Sequence, residues 1–174
     1  MSVRSARIHG ESLARACGVT RPPVDVERVA RHLGLKIAYA ELGEDVSGLL
    51  ISKGPMSVIA VNASDHQKRR RFTIAHEIAH YYLRHKFEPG EHVHVDHGHA
   101  ITPRNSRSST GEDLKEIEAN QFAACLLMPS TLIEARIKAH RARPLRDYHV
   151  TLLASDFDVS EQAMTIRLST LGYL

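Results

Sequence analysis

Two imidazoles and a carboxylate stand together in His76-Glu77-Ile78-Ala79-His80. On an α-helix the i, i+4 spacing puts His76 and His80 on one face about one turn apart, so both can grip a single ion. Glu77 leaves the helix in another direction, from which it addresses a water on that ion rather than the ion itself. The chemistry of such a set is metal-assisted hydrolysis, with His76 and His80 as ligands and Glu77 as catalytic base.

A catalytic divalent ion needs a third protein ligand and an open position. Residues 112–127 read as a later amphipathic helix stopped by Met128-Pro129. On a helical wheel Leu114, Ile117, Phe122, Ala124, Cys125 and Leu126 form its apolar arc, and Glu118 points into the middle of it. A carboxylate among apolar side chains is costly unless paired, hydrogen-bonded or bound to metal, which makes Glu118 the expected third ligand. Glu116 is the competitor, but the wheel sends it to the opposite face with Asn120 and Ala123, where a solvated charge is the plainer reading. Two neutral imidazoles and one carboxylate leave a divalent ion a charge of about +1 and a fourth position for water, whose pKa falls to about 7. Zn2+ suits this donor set, and Mn2+ or Fe2+ can occupy similar ligands.

The elements that must hold these groups are legible in outline. No Pro or Gly interrupts residues 65–84 and Ser64 can cap, so the HExxH motif lies on one long helix. Phe72, Ala75, Ile78, Ala79, Tyr82 and Leu83 gather on one arc of it, with the two histidines at the edge, as ligands lining a cleft require. Residues 9–17 and 24–33 read as short helices, and 35–41, 47–52 and 56–62 as strands separated by Gly-containing turns. Residues 86–111 read as loop, and 130–139 as a helix in which Thr131 and Glu134 can form a capping box. The expected architecture is α+β and helix-dominated, with a small, largely antiparallel sheet packed on the HExxH helix.

The blocks Arg71-Phe72-Thr73-Ile74-Ala75-His76-Glu77-Ile78-Ala79-His80 and Glu118-Ala119-Asn120-Gln121-Phe122-Ala123-Ala124-Cys125-Leu126-Leu127-Met128-Pro129 resemble the ImmA/IrrE family of metallo-endopeptidases. So do Pro22-Pro23-Val24-Asp25, Arg31-His32-Leu33-Gly34, Ile59-Ala60-Val61-Asn62 and the closing Val159-Ser160, Arg167-Leu168 and Leu171-Gly172, so the likeness spans nearly the whole chain. Ala79 stands where many members carry Gly, a harmless exchange on a helix. The resemblance implies a zincin-like core as a single domain over 1–174, His76, His80 and Glu118 as metal ligands, and Glu77 as the catalytic residue. It further implies a protein substrate, a helix-turn-helix repressor or antitoxin whose cleavage derepresses a mobile-element, stress or toxin–antitoxin operon.

Composition narrows the alternatives. A chain of 174 residues with 43% hydrophobic residues suffices for one sizeable core. It has no apolar run approaching the roughly 18 residues of a membrane span, and its N-terminus is too polar for a secretory signal, so a cytoplasmic protein without a membrane partner is expected. Cys17 and Cys125 lack CxxC spacing and read as two buried, reduced thiols. A net charge of +3 is too slight to argue for nucleic-acid binding.

Other features have plain readings beside functional ones. Lys68-Arg69-Arg70-Arg71 reads as a solvated helical face rather than a grip on nucleic acid. His92, His94, His97 and His99 read as a surface loop or lid rather than a second ion site. Tyr81, Tyr82 and His149 are candidates by residue type for a second oxyanion donor. Residues 150–157 and 160–171, with Ser160 as cap, have the cadence of a helix-turn-helix in which Arg167 is the clearest cation. Their apolar content (Val159, Ala163, Ile166, Leu168, Leu171) favours a helical pair over about 147–172 packed on the core. The expected activity is that of a zinc-dependent endopeptidase, and the alternative is a zinc-stabilised DNA- or protein-binding module without proteolysis.

Overall fold

The computed structural model describes residues 2–53, 56–85, 93–96, 111–140 and 144–174. Ser2 accepts the Ser5 N–H and starts α1 (Val3–Ala16). Asp25 accepts the Arg28 N–H at 2.9 Å and starts α2 (Val26–His32), after which Gly34, at φ 76°, turns the chain into β1 (Leu35–Ala40). A hairpin of β2 (Gly48–Lys53) and β3 (Met56–Asn62) leads to α3 (Gln67–Tyr82), which carries the HExxH motif. β4 (Val93–Asp96), α4 (Gly111–Leu127), α5 (Ser130–Ala139), α6 (Asp147–Phe157) and α7 (Glu161–Thr170) complete the order.

The sheet runs β1-β3-β2-β4. Both pairings of β2 are antiparallel, with Leu50 opposite Ile59 on β3 and His94 on β4, whereas β1 joins the far side of β3 in parallel. The α+β, helix-dominated class therefore holds, with one parallel pairing that strand patterns do not reveal. β4 falls inside the stretch read as loop, because a strand of 4 residues is too short to show a period. Its backbone includes His94, while His92, His97 and His99 lie outside the described residues, as do 86–92 and 97–110 generally.

α3 lies between the sheet and α4, and every residue from Thr73 to His80 is buried. Two glycines permit such closeness. A Cβ on Gly48 would stand 2.3 Å from Thr73 Cγ2, and one on Gly10 would stand 2.5 Å from the Phe122 carbonyl oxygen, so β2 meets α3 and α1 meets α4 at distances that only a hydrogen side chain allows. Ile59, Ile74, Ile78, Phe122, Leu126, Ile133, Leu153, Phe157 and Leu168 share one core, which the C-terminal pair α6 and α7 thus helps to build. Among the described residues no helix is long and apolar enough to cross a membrane.

Two caps differ from the sequence reading. His66 caps α3 by accepting the Lys68 N–H at 3.3 Å, while Ser64 donates to Asn62 Oδ1 at 2.8 Å. At α5 the N-cap is Pro129, with no side-chain bond, and the Ser130 N–H instead donates to Glu11 of α1 at 3.0 Å. A long-range carboxylate thus replaces the local Thr131 and Glu134 box.

Candidate metal and catalytic site

The i, i+4 spacing on α3 does bring His76 and His80 face to face: their Nε2 atoms are 2.9 Å apart. Glu116 of α4 completes the cluster, Oε2 lying 3.2 Å from His76 Nε2 and Oε1 3.3 Å from His80 Nε2. A tetrahedral ion with bonds of about 2.0–2.1 Å would need donors about 3.3 Å apart, so these three groups match such an ion in both chemistry and spacing. The imidazoles are buried and the Glu116 side chain is 44% exposed, which places the cluster's wetter side at the carboxylate. Glu77 is fully buried on the same turn of α3, and Gly48 of β2 lies beside it, since a Cβ there would stand 3.7 Å from Oε1.

The outer nitrogens of both imidazoles have partners. His76 Nδ1 is 3.0 Å from Asn120 Oδ1, one turn along α4 from Glu116. His80 Nδ1 is 3.1 Å from Nδ1 of His85, whose Nε2 is in turn 3.1 Å from Glu118 Oε2. His85 reaches back because α3 ends in a Schellman motif. The His85 N–H donates to the His80 carbonyl at 3.0 Å, the Arg84 N–H to that of Tyr81 at 3.2 Å, and Arg84 adopts the left-handed φ of 54° usually left to glycine. Burial lowers the His85 pKa against the opposing pull of Glu118 and Glu116.

Of the residues expected to act together, His76, Glu77 and His80 are assembled, but the carboxylate beside the imidazoles is Glu116. Glu118 is buried, as its place in an apolar arc suggested, and the partner that burial demands is His85. The wheel misleads because α4 has neighbours on two sides, α1 and α3, so no single arc faces inward. The face of Glu116, Asn120 and Ala123 turns toward α3, with Ala123 fully buried, while Leu114 and Ile117 of the supposed core arc are exposed. Asn120 and His85 were missed. The available signals were the i, i+4 spacing of Glu116 and Asn120, which matches that of the two histidines, and a histidine placed just past a helix end.

The remaining candidates mostly serve the fold. Arg69 donates to Ser47 Oγ at 3.2 Å, Arg70 lies 5.5 Å over the Tyr39 ring, and Arg71 pairs with Asp158 and donates to the Val24 carbonyl at 3.0 Å, so this part of the cationic run is a set of tethers rather than a solvated face. Arg70 and Arg71, with Tyr39 and Gln67, wall a cavity of ≈ 400 Å³ at the first turns of α3, away from the histidines. Arg167 is buried, donates to the Met128 carbonyl at 3.0 Å and pairs with Glu11. Tyr82 packs its ring 5.4 Å from that of Phe122, and His149 Nδ1 accepts the Arg146 N–H at 3.0 Å as a cap. Cys17 and Cys125 are free, buried thiols.

Comparison with known proteins bears on this geometry. The family described as Peptidase_M78, IrrE N-terminal-like domain, matches residues 30–169. A solved structure titled "Mycobacterium tuberculosis transcriptional regulator" superposes with a TM-score of 0.61 at 18% identity, over 97% of this chain and 48% of that one. The chain therefore spans about half the length of that protein, and the likeness is one of fold. No curated protein matches the chain.

Proposed function

The chain belongs to the Peptidase_M78 family, with an IrrE N-terminal-like domain over residues 30–169, and from that premise we propose that it is a metal-dependent endopeptidase. The observation that carries the reading is the convergence of His76, His80 and Glu116, whose ligand atoms lie within 4.8 Å of one another beside the buried Glu77. In this reading His76, His80 and Glu116 hold the ion, with Glu116 in the place first expected of Glu118. A bound divalent cation, Zn2+ in the first instance, would acidify water and polarise the scissile carbonyl. Glu77 takes the proton from the attacking water and returns it to the leaving amine. Burial on α3, with β2 packed close at Gly48, keeps that carboxylate oriented.

The substrate in this proposal is a helix-turn-helix repressor or antitoxin encoded with the chain, acted on in the cytoplasm. A DNA-reading role for the C-terminal pair finds less support, since Arg167, its clearest cation, is buried in an ion pair with Glu11. The test is co-expression with the neighbouring regulator. Glu77→Gln is expected to keep one metal per chain and abolish cleavage, and Glu116→Ala to lose the metal. Normal cleavage by Glu77→Gln would sink the catalytic assignment; absence of cleavage together with tight DNA binding at moderate salt would favour the binding module.

A further inference from the structure

We infer that the cavity beside the first turns of α3 is a second binding site, which takes a monoanionic carboxylate carried on an apolar body. The inference is independent of the metal reading, since none of the residues that wall this cavity belongs to that site.

At ≈ 400 Å³ the cavity lies within the usual range of ligand pockets and suits a small organic acid or the end of a peptide. Val26 of α2 and Ile74 of α3, both buried, give it aliphatic walls, and Tyr39 of β1 adds a ring.

What the polar part of the wall has left over is donors. Arg71 spends Nε on the Asp158 carboxylate and carbonyl, both at 3.2 Å, and Nη2 on the Val24 and Phe157 carbonyls at 3.0 and 3.5 Å. Its Nη1 has no partner among the described residues and is not a sealed atom, so two N–H groups remain for a ligand. Arg70 sits 5.5 Å over the Tyr39 ring and, among the described residues, donates only to the Ala63 carbonyl, at 3.5 Å. The rest of its fork is likewise unspent. Both guanidiniums are placed before a ligand arrives: Arg71 by its four acceptors, Arg70 by a ring whose hydroxyl is anchored on Glu27.

The two carboxylates in the wall are already engaged elsewhere. Asp25 accepts the Arg28 N–H at 2.9 Å and lies 4.0 Å from Arg31, while Glu27 accepts the Tyr39 hydroxyl and lies 3.6 Å from Arg31. They leave the free edges of Arg70 and Arg71 open, but their charge stays close and opposes a dianion such as phosphate about twice as strongly as a monoanion. A carboxylate also matches the guanidinium fork, in which two parallel N–H groups meet two oxygens. Its apolar remainder then covers Val26 and Ile74.

The experiment is a titration of the 15N-labelled full chain with 3-phenylpropanoate, following arginine Nε–Hε and backbone amide signals. Saturable shifts should centre on Gln67, Arg70, Arg71 and Ile74, and 3-phenylpropanamide, the neutral isostere, should leave them unmoved. Arg70→Gln should weaken binding about 10- to 100-fold, the loss of a charge-assisted pair. Glu27→Gln, whose amide oxygen still accepts from Tyr39, should tighten it about 3-fold by removing a like charge. Glu77→Gln should bind as wild type does, whether or not the chain is a peptidase. N-acetyl-leucyl-phenylalanine binding more tightly than 3-phenylpropanoate would identify the ligand as a peptide end, and the reverse order would identify it as a small acid; either supports the site. Equal binding of acid and amide, shifts centred away from the cavity, or unchanged affinity in Arg70→Gln would overturn the inference.

Discussion

Arg71 Nε lies 3.2 Å from Asp158 Oδ2, joining the first turns of the HExxH helix to the turn between α6 and α7. Asp158 sits at a φ of 52° and also accepts from Gln67 at 2.8 Å, while Arg71 donates to the Val24 carbonyl at 3.0 Å. One guanidinium thus ties the C-terminal pair and the start of α2 to the helix that carries the site.

Arg71→Ala should cost about 2 kcal/mol, because it leaves the Val24 and Asp158 carbonyls without this donor and takes the guanidinium from the Asp158 carboxylate, which keeps its bond from Gln67. Asp158→Asn keeps the left-handed turn and should cost less. Urea denaturation checks both; an Arg71→Ala variant as stable as wild type would show the tether to be idle.

Gly48→Ala places a methyl 2.3 Å from Thr73 Cγ2 and 3.3 Å from the Ala60 carbonyl oxygen, between a strand and a helix that cannot easily part. A loss of about 1–3 kcal/mol is expected. Thr73→Ser removes Cγ2, so the double variant should recover much of it, with the coupling read from a double-mutant cycle of melting curves. Strict additivity would mean that the close approach does not limit the packing.

Glu11 links three elements, accepting from Arg167 of α7 and from the Ser130 N–H that opens α5. Glu11→Ala should cost about 3 kcal/mol, since Arg167 stays buried with its charge uncompensated and α5 loses its cap. Glu11→Gln should fall between, and the order Ala below Gln below wild type in chemical denaturation is the result to look for.

Burial raises the pKa of both thiols, Cys125 most deeply enclosed at 1% exposure. Both should resist maleimide in the native protein and label fully in guanidinium. The raised folded value means that the unfolded chain gives up its thiol protons first. The thiols' contribution is therefore complete below the unfolded pKa of about 8.5 and is lost as pH rises through the folded value. Alkaline destabilisation should be smaller in Cys125→Ala; equal slopes in the two proteins would contradict this.

The HExxH helix could be read without coordinates because its signals are local. Ligand spacing follows from the helix repeat, and residues 67–82 contain no breaker. The same holds for the cap at Ser160, a short side chain bonding the N–H three residues on. β4 was not legible at its length, nor was the parallel pairing of β1 with β3, which depends on where the chain crosses over rather than on any pattern within a strand.

The sequence by itself determined that two histidines share a helical face with a carboxylate alongside, and that a later helix brings a second carboxylate. Only the tertiary structure decided which one. Glu116 and Glu118 stand two residues apart on α4, and their roles depend on how that helix is rotated between α1 and α3, a matter of packing at Gly10, Ala119 and Ala123. Helix periodicity says which residues share a face; which face meets α3 is set by the two partners at once, and a wheel drawn for one helix contains neither.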